Sequence, residues 1–156
     1  MTEPTLLLEA RDVAKRFGAV TALRAAALEV RSSEVHGLMG ANGAGKSTLV
    51  KIVTGVYPAT SGRIHLKGSA CAFRSPREAR NGGIVSVYQD PALVPDLTVA
   101  ENMRLAGAPA AAAARWLGEL GVARLDFDEL IRDLPYPLLR LIDLARALAS
   151  EPAARP

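Results

Sequence analysis

Gly40-Ala41-Asn42-Gly43-Ala44-Gly45-Lys46-Ser47 is the stretch that decides the fold. It fits G-x-x-x-x-G-K-[ST], the spacing of a phosphate-binding loop. Glycines let the backbone turn its N–H groups inward and lie close to a polyphosphate without Cβ clashes. Lys46 reaches terminal phosphates, and the Ser47 hydroxyl can complete a Mg²⁺ shell. Upstream, Val35-His36-Gly37-Leu38-Met39 reads as a short buried strand. Downstream, Thr48-Leu49-Val50-Lys51-Ile52-Val53-Thr54 reads as a helix stopped by Gly55. A helix start in that place aims its partial positive charge at the phosphates.

Further out, residues 5–9, 20–23 and 26–30 carry short apolar or alternating runs, broken at Phe17-Gly18 and Arg31-Ser32-Ser33. They predict a small antiparallel sheet. Arg63-Ile64-His65-Leu66-Lys67 alternates and is expected to join it after the turn Pro58–Gly62. Ser75-Pro76-Arg77-Glu78 opens a short helix ending near Asn81-Gly82-Gly83. Ile84-Val85-Ser86-Val87-Tyr88 reads as a central core strand.

Beyond it the pattern is helical. Thr98-Val99-Ala100-Glu101 is a capping box for a helix towards Leu105. Pro109 to Leu120 is alanine-rich and stopped by Gly121. A last helix begins at Pro137, with Leu138, Leu141, Ala145 and Leu148 forming an apolar stripe. A sheet-rich half followed by a helical half makes the class α/β.

Composition narrows the function. The 156 residues suffice for one domain with a real core. Net charge is +3, from 19 basic and 16 acidic residues that are interspersed, so nucleic-acid binding is not expected. Cys71 is the single cysteine, which excludes an internal disulfide or a cysteine zinc site and fits a reducing compartment. The longest charge-free run, Ile52 to Gly62, has 11 residues with Gly and Pro, too short to span a bilayer, and the N-terminus does not read as a signal peptide. A cytoplasmic chain, meeting the membrane through a partner, is expected.

Lys15-Arg16-Phe17-Gly18, the run Glu34–Met39 into the loop, and Val87-Tyr88-Gln89-Asp90-Pro91 together resemble an ATP-binding cassette (ABC) ATPase. Phe73–Arg80 and Pro91–Asn102 resemble the subgroup that serves carbohydrate importers. The resemblance covers residues 5 to about 151. It implies a P-loop NTPase of ABC type: a small antiparallel β subdomain (1–34 and 60–73), a P-loop core with a parallel sheet (35–59 and 74–90) and a helical subdomain (91–148), C-terminally incomplete.

Carried over by position, the resemblance implies that Gly40 to Thr48 hold ATP, Phe17 stacks on adenine, and Gln89 joins Ser47 at Mg²⁺. Residues 89–105 would line the groove that grips a membrane permease, with Val94, Pro95 and Leu97 as apolar contacts. The implied partners are a second cassette, as homodimer or tandem half, that permease and, indirectly, a solute-binding protein. A regulatory or docking module that binds nucleotide without hydrolysing it is the alternative, and a small-molecule P-loop kinase a third.

Two departures bear on activity. The family's signature loop should fall at 134–138, where this chain has Leu134-Pro135-Tyr136-Pro137-Leu138. Two prolines lack the N–H groups a phosphate clamp requires. The Walker B acidic residues and switch histidine of the family would fall after Pro156, so no catalytic residue is named in the chain. His36 and His65 read as plain strand residues, and Glu151 is not expected to serve as a base. The resemblance implies a transport-coupled ATPase, poorly hydrolytic on these 156 residues alone.

Overall fold

The computed structural model describes residues 4–150; Glu151 lies outside them. The chain divides into two compact units, one ending at Ile84 and the other starting at Val85.

The first unit is built on a long hairpin. Strands β1 (Leu6–Phe17) and β2 (Val20–Arg31) pair antiparallel, with Phe17 opposite Val20 across the Gly18-Ala19 turn. β3 (Ser61–Leu66) adds to the free edge of β1, and β4 (Ser69–Cys71) follows it, giving the order β2-β1-β3-β4. The hairpin is longer than the apolar runs predict. The second half of β1 carries Arg11, Asp12, Lys15 and Arg16, and the ladder shifts register around Asp12, which sits at φ 51. Such a bulge breaks the two-residue alternation that marks a strand in sequence.

Helix α1 (Lys46–Val53) covers the inner face of this sheet. Its Leu49, Ile52 and Val53 join Ala10, Val13, Leu23 and Ile64 in one buried cluster. Helix α2 (Pro76–Asn81) starts as read: Ser75 caps it, its hydroxyl accepting from Glu78 N at 3.2 Å.

Two expected strands are not formed. Val35–Met39 is irregular and exposed, with Val35 and Met39 at 101% and 91% exposure. Ile84–Tyr88 is likewise unpaired, and Val85, Val87 and Tyr88 are exposed. Among the described residues the one sheet is the antiparallel one, so neither run has a strand neighbour to pair with. A parallel core strand exists only by pairing, however β-branched its sequence. His36, placed by the sequence in a strand, is therefore a loop residue hydrogen-bonded to Glu34 at 2.6 Å, while His65 lies in β3.

The second unit packs α3 (Val99–Ala106), α4 (Ala110–Glu119) and α5 (Tyr136–Ala149) around Val99, Met103, Ala113, Leu117, Ile131, Ile142 and Ala145. The capping box is complete: Thr98 Oγ1 accepts from Glu101 N at 3.2 Å, and Glu101 Oε2 accepts from Thr98 N at 2.8 Å. Those bonds, the Thr98 N donation first, hold the Glu101 carboxyl below its usual range. The α5 stripe is rotated from the expected one. Ile142, Ala145 and Ala149 are buried, Leu138 and Leu141 half-buried, and Leu148 is 43% exposed.

Candidate nucleotide site

The site grows from the turn into α1. Gly40, Gly43 and Gly45 all have positive φ, at 151°, 81° and 90°. Gly45 is the N-cap, in the left-handed conformation, and a Cβ there would meet Leu23 Cδ1 at 2.7 Å and Ala22 O at 2.9 Å. Glycine is thus required twice over, by backbone conformation and by space. Ala44 N donates to Ala41 O at 3.2 Å and closes the loop, with Asn42 at its exposed tip. Leu49 N is the first to find a helical acceptor, Gly45 O at 2.9 Å. The N–H groups of Lys46, Ser47 and Thr48 precede it and have no intrahelical partner to use.

No acidic side chain lies in the first turn of α1 and no side chain caps it, so its positive end is uncompensated by the helix itself. Lys46 Nζ donates to Gly40 O at 2.6 Å and to Ala41 O at 2.7 Å, holding the ammonium over the loop. Ser47 is exposed at the helix start. Just before the loop, Glu34 Oε2 accepts from Arg31 N at 3.0 Å. Its bond to His36, first, and this backbone bond hold the Glu34 carboxyl below its usual range.

Phe17 ends β1, 43% exposed. Tyr57 lies edge-on to it, ring centroids 5.2 Å apart at 78°. No motif in the sequence points to this tyrosine, which stands in a glycine- and proline-punctuated loop.

In the second unit, Gln89 is exposed in a turn. Arg140 of α5 donates Nη1 to Tyr88 O at 2.9 Å and also to Gln89 O. That anchor is 51 residues away from Gln89 and carries no local sequence signal. Val94 and Pro95 are exposed and Leu97 half-buried. Asn102, buried, shapes their loop: its Oδ1 accepts from Val94 N at 2.7 Å, and its Nδ2 donates to Val94 O and Thr98 O at 3.1 and 2.9 Å. Pro135 stands at the N-cap of α5, no side chain caps that helix, and Leu138 N and Leu139 N both donate to Pro135 O.

Among the described residues no group of three or more His, Cys, Asp or Glu could hold a metal ion, and no helix is long and apolar enough to cross a membrane. The metal ligands expected from the sequence, Ser47 and Gln89, are of other types.

A family model described as ABC transporter matches residues 23–154. Ribose import ATP-binding protein RbsA 1 of Rhizobium johnstonii is 36% identical, the match covering 97% of this chain and 32% of that protein. Ribose import ATP-binding protein RbsA 2 of Streptomyces avermitilis is 39% identical, covering 95% and 32%. The chain thus spans about a third of the length of these curated relatives, 32% in both cases. Among solved structures, the ADP conformation of an ATP-binding cassette of an ABC transporter superposes with a TM-score of 0.80 at 26% identity, over 96% of this chain and 70% of the other. A nucleotide-free ATP-binding cassette matches with a TM-score of 0.80 at 25% identity, over 93% and 65%. The chain belongs to the ABC transporter ATP-binding family and has its α/β fold.

Proposed function

We propose that this chain is the ATP-binding, energy-coupling part of an importer, with a sugar as cargo. One observation carries the reading: a left-handed Gly45 opens α1 towards an anion, with Lys46 held over the loop beside it. The two similar ribose import proteins support the sugar assignment.

In this reading the backbone from Gly40 to Thr48 cradles the phosphates of ATP, and Lys46 pairs with their terminal oxygens. The residues present fit the nucleotide, since Gly40, Gly43 and Gly45 all take a positive φ that lets the loop backbone turn its N–H groups inward. They also fit Mg²⁺, because Ser47 offers an exposed hydroxyl, a hard ligand, at the helix start. The part of Gln89 at the metal rests on the family resemblance alone. The chemistry supplied by bound Mg²⁺ is charge neutralisation at the terminal phosphates. Phe17 takes the face of the adenine ring by stacking, without reading its edge. The two units are parts of one nucleotide-binding domain.

A second cassette, a membrane permease docking on residues 89–105 and, through it, a solute-binding protein are the partners of this reading. It places the protein at the inner face of the membrane. Among the described residues no apolar strand ends in an Asp-Glu pair, and slow ATP turnover by these 156 residues alone belongs to this reading.

Titration of the chain with Mg-ATP tests the site. Lys46→Ala removes a charged hydrogen-bond donor, and a binding loss of at least about tenfold is expected. Affinity that survives both Lys46→Ala and Ser47→Ala overturns the site. Brisk Lys46-dependent hydrolysis by the 156-residue chain overturns the claim of slow turnover. Co-purification with a permease, lost on Val94→Asp or Leu97→Asp, tests the docking segment.

A further inference from the structure

Phe17 is not a free-standing ring. Lys15 Nζ lies over it, 5.0 Å from the centroid, and over the Tyr57 ring at 5.8 Å. The same ammonium donates to Pro58 O at 2.7 Å, so its position is fixed by a backbone acceptor and not by the rings alone. Tyr57 meets Phe17 edge-on at 78°. It is itself tied to the end of α1: Tyr57 N and Val56 N donate to Lys51 O at 3.1 and 2.8 Å, and Lys51 Nζ lies 5.7 Å from the Tyr57 centroid. Two more bonds fasten the strand end to the same loop, Thr60 N to Ala14 O at 2.8 Å and Arg16 N to Thr60 Oγ1 at 3.1 Å.

The ring is therefore referenced to the helix that starts at the phosphate loop. We propose that Lys15 and Tyr57 are positioning residues that hold Phe17 ready to stack on the nucleotide base, and so set the base-dependent share of affinity. The proposal rests on the reading that Phe17 takes the base. An aromatic side chain held in advance loses no further freedom on binding. Immobilising a loose one instead costs the equivalent of roughly two- to tenfold in affinity. Lys15 lies over one side of Phe17, and the residue remains 43% exposed.

A ligand with no base isolates the effect. Affinities of the chain for Mg-ATP and for Mg-tripolyphosphate are measured for the parent and for Lys15→Met, Tyr57→Leu, Tyr57→Phe, Phe17→Ala and Lys46→Ala. Lys15→Met keeps an apolar stem and removes the cation. Expected is a roughly two- to tenfold loss of Mg-ATP affinity in Lys15→Met and Tyr57→Leu, with tripolyphosphate affinity unchanged. Tyr57→Phe retains the edge-on ring and restores the parent ratio. An unchanged ratio in Lys15→Met and Tyr57→Leu overturns the proposal, and so does an equal loss for both ligands. If Phe17→Ala also leaves the ratio unchanged while Lys46→Ala abolishes both affinities, Phe17 is not the base platform, and the positioning role falls with it. If Lys46→Ala spares both, the phosphate site itself has failed.

Discussion

At the start of α1 the backbone turns through a left-handed Gly45, with no side-chain cap and no acidic residue in the first turn. At the start of α5 it runs through Pro135, Tyr136 and Pro137, and the next two N–H groups are spent on Pro135 O. Both are helix N-termini with the same macrodipole. Only the first has small residues and open donors, so a dipole by itself does not make a phosphate site. Helix α3 supplies the third case: Val99 N and Ala100 N donate to Glu129 O and Phe127 O, Thr98 Oγ1 accepts from Glu101 N, and Glu101 adds a negative charge in that turn.

The largest effect should come from Gly45→Ala. The added Cβ meets Leu23 and Ala22 at a φ of 90°. Backbone strain alone of about 1–3 kcal/mol is expected, together with loss of nucleotide binding. A calorimetric titration with Mg-ATP beside a thermal melt checks both. An alanine tolerated at this position would erase the contrast between α1 and α5.

Thr98→Ala removes the cap of α3 and should cost about 1 kcal/mol by denaturant unfolding followed through the second unit. Mg-ATP affinity should stay at the parent value, since the first donors of α3 are already held by Glu129 O, Phe127 O and Thr98 Oγ1.

Acid titration sharpens the comparison further. Glu34 and Glu101 both have carboxyl groups held low in the folded chain, by the His36 bond and by the Thr98 N bond respectively. A depressed pKa stabilises the fold above the ordinary carboxylate range, and that stabilisation is lost as pH falls through it. Melting temperature should therefore fall more steeply below about pH 4.5 for the parent than for Glu101→Gln, which keeps the capping bond without the charge.

The smallest expected effect is at α5. Pro135→Ala and Pro137→Ala should leave the Mg-ATP affinity of the chain within about twofold, because an alanine N–H in place of the proline restores at most one weak donor per site. A larger change would mean that this turn takes part in the chain's own nucleotide site.

What the sequence made legible was local. The glycine-rich loop, the Ser75 and Thr98 caps and the helix stop at Gly55 depend on neighbours within about five residues. The misses were non-local. Residues 35–39 and 84–88 have strand-like composition, but a strand needs a partner that composition does not name. The bulge at Asp12 breaks the alternation that would mark the second half of β1. Tyr57 and Arg140 reach their partners across 40 and 51 residues, distances at which no motif speaks. On α5 the expected stripe holds at Ala145, which is buried, but Ile142 and Ala149 share that depth while Leu148 is exposed.

Lys46 has one more consequence. Its ammonium already holds two carbonyl oxygens of its own loop, so ligand capture there is an exchange and not a simple addition. An incoming anion must offer the ammonium more than two neutral dipoles do. A chloride or a lone carboxylate gains little from that trade, whereas a polyphosphate brings several charged oxygens at once. In the proposed nucleotide site the resting bonds would act as a threshold, one that a multiply charged ligand clears more readily than a monovalent anion.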